Sequence, residues 1–307
     1  MKIVIPDLVS NSYFPAIAAV EMGFFKEEGL DAELELIYPV GKCYEALRDG
    51  KVDFVGGSSH SAPTAFPEWQ GVKFLGALAQ HTYWFLIMRS DLKVARGDVS
   101  AVKGKRIGAA PLIDIGLIEL LKESGIDPQR DGVQISPPPM PAVPNVSFGV
   151  NAAQAMADGM IDGFWANGMG AEVAIQRGIG TLVLDARRGD GPASLRGYTF
   201  GVLATRADLV EKEPEQAAAA VRALVKTQKA LKEDPKRATK VGEKWFPAFE
   251  ASLIAKLVER DLPYYDPAIS KGAFDSMCKF VQTTGLTKGV GKYEDVVATQ
   301  YANLWKS

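Results

Sequence analysis

The sequence EALRDGKVDFVGG, residues 45–57, returns 109 residues later as QAMADGMIDGFWA, residues 154–166. A second pair, KEEGLD at residues 26–31 and KESGID at residues 122–127, occurs in the same order. In each copy a glycine follows a helical pattern and precedes a short apolar run, which is typical of a helix, a left-handed stop and a buried strand. The chain is therefore predicted to contain two copies of one α/β unit.

The composition is that of an ordinary globular protein, with 47% hydrophobic and 23% charged residues and a formal net charge of −2. A length of 307 residues allows two domains, and the charge argues against a nucleic-acid partner. No apolar run approaches the roughly 20 residues that cross a bilayer, and residues 1–6 lack the features of a secretory signal. Cys43 and Cys278 are 235 residues apart, so we predict no disulfide, no metal site and no cofactor.

Apolar runs separated by turn residues predict an α/β order with a helical C-terminal tail. The helix after the first strand is predicted to extend to about Glu28. The runs 82–88 and 198–204 are predicted to cross between two lobes, which would make the first lobe residues 1–86 and 204–307 and the second lobe residues 87–203. Other strands are predicted near residues 2–5, 33–37, 72–78, 105–109 and 181–184, and tail helices near residues 217–232 and 249–260.

Several motifs carry a resemblance to a known family: FPA at 14–16, EMGFFKEEGL at 21–30, EALRDGKVDF at 45–54, VKGKRIG at 102–108 and YTFGV at 198–202. With two repeated lobes and two crossing strands, the chain resembles the type II periplasmic binding-protein fold. Within it, the chain is similar to the nitrate/sulfonate/taurine and pyrimidine-precursor group of substrate-binding proteins. The resemblance implies a monomeric, non-catalytic solute-binding protein that serves the membrane permease of an ABC importer. It implies a periplasmic location with the signal peptide removed, and a cytoplasmic location is the alternative.

The resemblance further implies a ligand in the cleft between lobes, which close over it. A departure from the oxyanion-binding members is Pro111-Leu112-Ile113-Asp114, where those members place Gly, Ser or Thr, because a carboxylate there repels an anion. An aromatic or partly apolar small molecule is therefore expected, with a carboxylate, a sulfonate or a pyrimidine as options. The expected ligand-binding residues are Asn11, Ser12, Tyr13, Ser58, Ser59, His60, Tyr83, Leu112, Ile113, Asp114, Asn145, Phe148, Trp165, Asn167 and Arg188.

An enzyme on the same fold, desulfinase- or decarboxylase-like and acting on a small aromatic acid, is the alternative function. A cysteine-dependent reaction needs a thiol in the cleft loop, and residues 10–13 contain none. Ser58, His60 and Asp114 supply the residue types of a Ser-His-acid arrangement, but two residues separated by one on a tight turn seldom point at each other. We therefore expect no enzymatic activity. The repeated aspartates Asp49, Asp53, Asp158 and Asp162 are interpreted as turn formers.

Overall fold

Short runs rich in branched and aromatic residues form the strands, as their pleated-surface preference predicts. The computed structural model describes residues 1–8, 12–139 and 147–306. Ten strands lie in these ranges: β1 Lys2–Ile5, β2 Glu33–Leu36, β3 Phe54–Ser58, β4 Val72–Ala79, β5 Phe85–Arg89, β6 Arg106–Ala109, β7 Gln134–Ser136, β8 Gly163–Ala166, β9 Gly180–Asp185 and β10 Gly201–Arg206.

Helices connect the strands and form the C-terminal tail, and none of those in the described ranges is long and apolar enough to span a bilayer. They are α1 Phe14–Glu21, α2 Phe24–Glu27, α3 Val40–Arg48, α4 Asp114–Glu123, α5 Phe148–Ala157, α6 Gly168–Gln176, α7 Ala207–Lys212, α8 Pro214–Glu233, α9 Arg237–Trp245, α10 Ala248–Asp261, α11 Lys271–Thr283 and α12 Tyr293–Val296.

The helices and strands confirm the predicted α/β class, with one local difference. The single helix predicted to reach Glu28 is two helices, α1 and α2. Gly23 separates them with a φ of +82°, a left-handed conformation that ends α1 before α2 begins. The sequence pattern shows an unbroken apolar face across this glycine, so the break was not visible in the periodicity.

The chain divides into two compact units. Unit 1 comprises Met1–His81 and Tyr198–Ser307, and unit 2 comprises Thr82–Gly197. The divisions predicted from the sequence, after residues 86 and 203, fall a few residues later along the chain. The lobe boundaries at residues 86 and 203 stay a prediction.

Each unit contains one five-stranded sheet, and the two sheets have the same plan. The order in unit 1 is β2-β1-β3-β10-β4, and the order in unit 2 is β7-β6-β8-β5-β9. In each sheet four strands run in the same direction, and the fourth in the order is antiparallel to both of its neighbours. That antiparallel strand is β10 in unit 1 and β5 in unit 2. β10 comes from the second segment of unit 1, whereas β5 is the first strand of the single continuous segment that forms unit 2. The two copies seen in the sequence are two copies of one sheet.

The repeated glycines end the helices of both copies in the same backbone conformation. Gly50 follows α3 and Gly159 follows α5, and both have a φ of +70°. An L-residue with a side chain rarely adopts this conformation, so glycine is the residue that allows the chain to turn into the next strand.

The repeated aspartates after these glycines accept a hydrogen bond from the first backbone amide of β1 and of β6. Asp53 Oδ2 accepts a hydrogen bond from Lys2 N at 2.9 Å, and Asp162 Oδ2 accepts one from Arg106 N at 2.9 Å. The guanidinium of Arg106 also donates to Asp162, at 2.9 and 3.0 Å. These two aspartates therefore act as backbone clamps, a role more specific than the predicted turn formation.

We predict that Asp162→Asn lowers the free energy of unfolding by about 1–3 kcal/mol at pH 7, the usual cost of weakening a charged hydrogen bond. The guanidinium of Arg106 holds the pKa of Asp162 below its ordinary value. A depressed folded-state pKa stabilises the fold above the unfolded value of about 3.9, and this contribution is lost as the pH falls through the folded pKa. Urea unfolding between pH 7 and pH 3 measures it, and the difference from the wild type should shrink towards pH 3.

The matched control is Asp158→Asn, because that exposed carboxylate accepts from the Gln154 side chain at 3.0 Å and from no strand amide in the described part of the chain. Its effect should stay within about 0.5 kcal/mol. Equal losses for the two variants would contradict the clamp.

Candidate functional site

The parallel strands of each sheet end at one edge, which we call the carboxyl edge of the unit. In α/β sheets this edge is where small ligands bind, because strand ends and helix starts open there together. The antiparallel strand begins at the same edge, since Gly201 pairs with Ser58 in unit 1 and Phe85 pairs with Ala166 in unit 2. Residues just before β10 and β5 therefore join those that come after the parallel strands.

In unit 1, β3 runs directly into a short 3-10 helix, Ser59–Thr64, whose Pro63 fits this tight geometry. Its hydroxyl groups bond to one another and to the segment before β10. Ser58 Oγ lies 2.7 Å from Ser61 Oγ, and Ser59 Oγ accepts from Phe200 N at 3.1 Å. Ser59 N donates in turn to Phe200 O at 3.0 Å, which extends the pairing between the strands beyond their ends. The carboxyl edge of unit 1 is thus lined by buried neutral hydroxyls.

His60 is fully buried in this hydroxyl network. Its Nδ1 lies 2.9 Å from Thr199 Oγ1, and its Nε2 lies 3.4 Å from Ser61 Oγ. Phe280 of α11 packs against the imidazole edge-on, with 5.8 Å between ring centroids. Because hydroxyls both donate and accept, either neutral tautomer of His60 is accommodated. Nδ1 faces a hydroxyl where a Ser-His-acid triad has a carboxylate, so this geometry does not favour the triad considered from the sequence.

Ser12 and Tyr13, which precede α1, are also buried at this edge. The carbonyl oxygen of Ser12 lies only 3.0 Å from where a Cβ on Gly201 would be. Glycine at the start of β10 therefore allows the Ser12 loop to lie close to the strand. Five predicted residues, Ser12, Tyr13, Ser58, Ser59 and His60, are brought together in unit 1, while Asn11 lies outside the described residues.

In unit 2, two buried tryptophans lie at the carboxyl edge. Trp165 of β8 packs on Trp84, which precedes β5, with 5.8 Å between ring centroids and an interplanar angle of 59°. Trp84 also presses on α4, since a Cβ on Gly116 would lie 2.2 Å from its ring. The glycine in the first turn of α4 is therefore required for the indole of Trp84 to fit under the helix.

The indole N–H of Trp165 is buried, and no residue within the described ranges accepts a hydrogen bond from it. A buried donor without an acceptor costs about 1–3 kcal/mol. This indole N–H is a candidate hydrogen-bond donor to a ligand at the carboxyl edge of unit 2.

Three helices begin at or near this edge, and two of them, α5 and α6, are capped by the side chains of Ser147 and Asn167, while Asp114 is the first residue of α4. Asp114 Oδ1 accepts from Ile115 N at 2.9 Å, Ser147 Oγ accepts from Val150 N at 3.2 Å, and Asn167 Oδ1 accepts from Met169 N at 3.1 Å and from Gly170 N at 3.3 Å. Burial raises the pKa of Asp114, against the effect of its backbone donors. Of the two residues predicted as ligand contacts, Asn167 therefore also serves as a helix cap, whereas Asp114 accepts only from the amide of the next residue.

The remaining predicted residues of unit 2 have different exposures. Tyr83 is buried, and Leu112, Ile113 and Phe148 are half-buried. Leu112 has a φ of +70°, an uncommon conformation for a branched residue. Asn145 lies outside the described residues.

The two arginines that come after β9 differ sharply in environment. Arg188 is exposed, and its Nε lies 3.4 Å from Asp185 Oδ2. Arg187 is only 2% exposed, and its guanidinium carbon lies 5.7 Å from the centroid of the Tyr83 ring. Arg188 is the one that was predicted from the sequence to contact the ligand. The buried arginine is Arg187.

Thr199 and Trp84 also lie at the carboxyl edges and were not among the residues predicted from the sequence. Both lie in the connections to the crossing strands, one or two residues before the strand begins. A signal was present in the sequence, because crossing strands must enter their sheets at the carboxyl edge. Their preceding residues are therefore placed at that edge by topology.

Neither cysteine has the environment of a nucleophile. Cys43 is fully buried in α3, and its Sγ lies 3.0 Å from Ile37 O. Burial raises the pKa of Cys43 far above the usual range and that of Cys278 to about 12. No group of three or more His, Cys, Asp or Glu in the described ranges could hold a metal ion.

A separate groove of about 660 Å³ lies on unit 1, between α1 and α9, away from the carboxyl edge. Its charged lining side chains are exposed or half-buried, and Lys244 Nζ is paired with Glu21 Oε2 at 2.6 Å. We interpret it as a solvated, charged surface. It is lined by Glu21, Met22, Asp234, Lys236, Arg237, Lys240, Val241 and Lys244.

The family model described as NMT1/THI5 like matches residues 10–238, which is well over half of the chain. No curated protein sequence matches this chain.

Several solved structures share the fold at low sequence identity. The periplasmic nitrate-binding protein NrtA from Synechocystis PCC 6803 has a TM-score of 0.71 at 16% identity, covering 99% of this chain and 86% of that one. The alkanesulfonate-binding protein SsuA from Xanthomonas axonopodis pv. citri, bound to MOPS, has a TM-score of 0.68 at 15% identity, covering 95% and 94%. The enzyme DSZB in complex with biphenyl-2-sulfinic acid has a TM-score of 0.68 at 15% identity, covering 99% and 98%. The expected two-lobed binding-protein fold is confirmed.

We predict that Thr199→Val lowers the free energy of unfolding by about 1–3 kcal/mol, because valine keeps the shape of the side chain but removes the hydroxyl to which Ser59 and His60 both bond. Thr199→Ser keeps the hydroxyl and should lose less. Urea unfolding of both variants measures the difference, and equal losses would show that the hydroxyl does not matter.

We also predict that both thiols are unreactive in the folded protein, because a raised pKa keeps them protonated and burial excludes the reagent. A colorimetric disulfide reagent at pH 8 should release little product from the native chain within minutes and two equivalents in denaturant. Rapid reaction of one thiol in the native protein would restore a cysteine-dependent mechanism as a candidate.

Proposed function

The chain belongs to the NMT1/THI5-like family, and from this premise we propose that it is the solute-binding component of an ABC importer. Its ligand is a small, partly apolar organic molecule. The duplicated sheets support the proposal, because they reproduce the architecture of NrtA and SsuA, which bind nitrate and alkanesulfonate.

The observation that carries the proposal is the buried indole N–H of Trp165, which has no acceptor within the described ranges. A ligand with an acceptor atom at this place would satisfy the donor, and an analogue without one would leave it buried and unbonded. Such a site discriminates strongly against an analogue without an acceptor, because the free-energy cost of the unmade hydrogen bond lowers the affinity for that analogue.

The lining of the two edges supports an aromatic or partly apolar ligand over a bare inorganic anion. The ring faces of Trp84 and Trp165 offer apolar contact in unit 2, and the Ser58–Ser61 segment offers neutral hydrogen bonds in unit 1. Small-molecule sites commonly combine an apolar wall with a few placed polar groups. The residues predicted from the sequence, Arg188 included, stay candidates for direct contact.

Binding without catalysis is favoured over the enzyme alternative, although DSZB shares the fold. Both thiols are buried and strongly protonated, and the ring nitrogens of His60 face hydroxyls. A nucleophile and a base in hydrogen-bond contact are the usual requirement for covalent catalysis. Recovery of an unchanged ligand after prolonged incubation, measured by mass spectrometry, is the expected result.

The proposal extends to partners and location. The protein would work in the periplasm as a monomer and deliver its ligand to a membrane permease. Its formal net charge of −2 gives no reason to expect a nucleic-acid partner.

We predict that a thermal-shift panel of aromatic acids, pyrimidines, alkyl sulfonates, taurine and nitrate will contain a stabilising compound. A ligand at 100 times its dissociation constant stabilises the native state by about 2.7 kcal/mol. Trp165→Phe keeps an aromatic ring and removes the N–H, so the affinity for that compound should fall at least about tenfold, which corresponds to about 1.4 kcal/mol. Titration calorimetry measures the affinity of each variant.

The matched control is Trp69→Phe. Trp69 is also buried, and its Nε1 also has no acceptor in the described part of the chain, but its ring packs against Phe74 and Phe274 in the core of unit 1. This variant should bind the ligand normally. Unchanged binding by Trp165→Phe, or stabilisation by nitrate or taurine alone, would contradict the aromatic site.

A further inference from the structure

α9 presents a row of cations beside the groove that lies between α1 and α9. Lys236, Lys240 and Lys244 follow one another at four-residue intervals, so they lie on one face of the helix over about 12 Å. The other face packs on α10, since a Cβ on Gly242 would lie 2.9 Å from Ile254 Cγ2. The cations therefore occupy the face of α9 that α10 leaves uncovered.

Positive charge exceeds negative charge in the lining of this groove. Glu21 pairs with Lys244 at 2.6 Å, and Asp234 Oδ1 accepts from the backbone N of Lys236 at 3.0 Å. The side chains of the remaining cations make no ion pair with any residue in the described ranges, and all three are exposed. These cations are Lys236, Arg237 and Lys240. Solvated in the free chain, they remain available to an anionic partner.

An apolar segment with two aromatic rings follows the row of cations directly. Trp245 ends α9 with a half-buried ring, and Lys244 Nζ lies 5.5 Å from the ring centroid. Pro247 and Ala248, in the connection to α10 and at its start, are exposed, and Phe249 is 41% exposed. Aromatic side chains next to lysines are typical of surfaces that lie at a bilayer interface, where the rings enter the headgroup region and the cations meet phosphates.

A layer of phospholipid headgroups fits this arrangement better than a single small anion does. A site for one small molecule is concave and has a few polar groups placed around one point. Lys236, Arg237 and Lys240 are instead exposed along a helix, and no hydrogen bond within the described ranges fixes their charged ends. A fluid layer of phosphates can rearrange around such side chains, so each cation can meet a different headgroup.

We propose that Lys236, Arg237, Lys240 and the segment 245–249 form a surface that binds the anionic phospholipids of a bilayer. We call it the α9 surface. This inference goes beyond the proposed solute-binding function, because the α9 surface lies on unit 1 away from the carboxyl edge. Binding through it would hold the chain at the membrane that contains a permease.

The test is flotation of the full chain with vesicles of phosphatidylcholine alone and with vesicles of phosphatidylcholine and phosphatidylglycerol in equal amounts. The chain should float with the anionic vesicles only, and high salt should release it, because salt screens exposed charges. The triple variant Lys236→Gln/Arg237→Gln/Lys240→Gln should bind about 100-fold more weakly, since each cation near an anionic surface contributes about fivefold.

The matched control is Lys279→Gln/Lys288→Gln/Lys292→Gln. It removes the same charge from three exposed lysines elsewhere in unit 1 that make no ion pair in the described part of the chain, and it should bind the vesicles as the wild type does. Phe249→Ser tests the apolar segment separately. It keeps every cation and should bind at least about threefold more weakly, because it removes apolar area that the headgroup region would cover.

Equal binding by the two triple variants, or equal binding to neutral and anionic vesicles, would overturn the α9 surface. Binding of the wild type to polyglutamate but not to vesicles would also overturn it and would identify an acidic protein partner. Release from the vesicles by inorganic phosphate at constant ionic strength would identify a site for one discrete anion instead. The thermal-shift panel on the first triple variant separates the two functions, because its solute binding should equal that of the wild type whatever the vesicles show.

Discussion

Each sheet is completed by one antiparallel strand that lies between two strands running the other way, and the rest of the structure depends on this pairing. β10 lies between β3 and β4, and β5 lies between β8 and β9. Without its antiparallel strand, each sheet would expose two rows of unpaired backbone groups in its interior, a cost that folded proteins avoid. Unit 1 therefore cannot be a continuous stretch of chain, because its sheet needs the residues of β10.

The same antiparallel strands determine which residues reach the carboxyl edges. An antiparallel strand must begin where its parallel neighbours end, so the segment before it lies among the strand ends. Thr199 and Tyr83 occupy equivalent positions, two residues before Gly201 and Phe85. In unit 1 the position holds a hydroxyl that bonds to His60, and in unit 2 it holds a ring under the guanidinium of Arg187. One backbone arrangement thus presents two different chemistries.

Much of the fold could be predicted because the two similar stretches of sequence adopt the same backbone conformation. The Asp-Gly pairs at 49–50 and 158–159 occur where a left-handed glycine must end a helix, and both glycines have the same φ. β5 and β10 were visible as apolar runs, and their crossing between lobes stays a prediction. The break at Gly23 was not, because a glycine inside an apolar pattern is compatible with either a continuous or an interrupted helix.

The candidate site was harder to predict where side-chain direction depends on an irregular turn. Trp165 lies in a strand, where alternation restricts the side chain to one of two faces. Arg187 and Arg188 lie in a three-residue 3-10 turn, where no period tells which of two adjacent arginines is buried. The ladder between β5 and β9, which continues to Ala186, decides it. That pairing joins residues about 100 positions apart, so it is a tertiary constraint that the local sequence does not contain.

The two copies differ most in the segment after the third parallel strand, and this difference separates the roles of their edges. After β3 the chain forms a 3-10 helix in which serine hydroxyls and His60 bond to one another. After β8 it forms α6, whose first amides are taken by the side chain of Asn167. A network of hydroxyls can exchange its internal hydrogen bonds for bonds to a neutral ligand group at little cost, since each hydroxyl both donates and accepts. A capped helix offers no such exchange, because its first amides already donate to the capping side chain. The two copies thus share one backbone plan and differ in the side chains at their strand ends, which are hydroxyls and His60 in unit 1 and the indoles of Trp84 and Trp165 in unit 2.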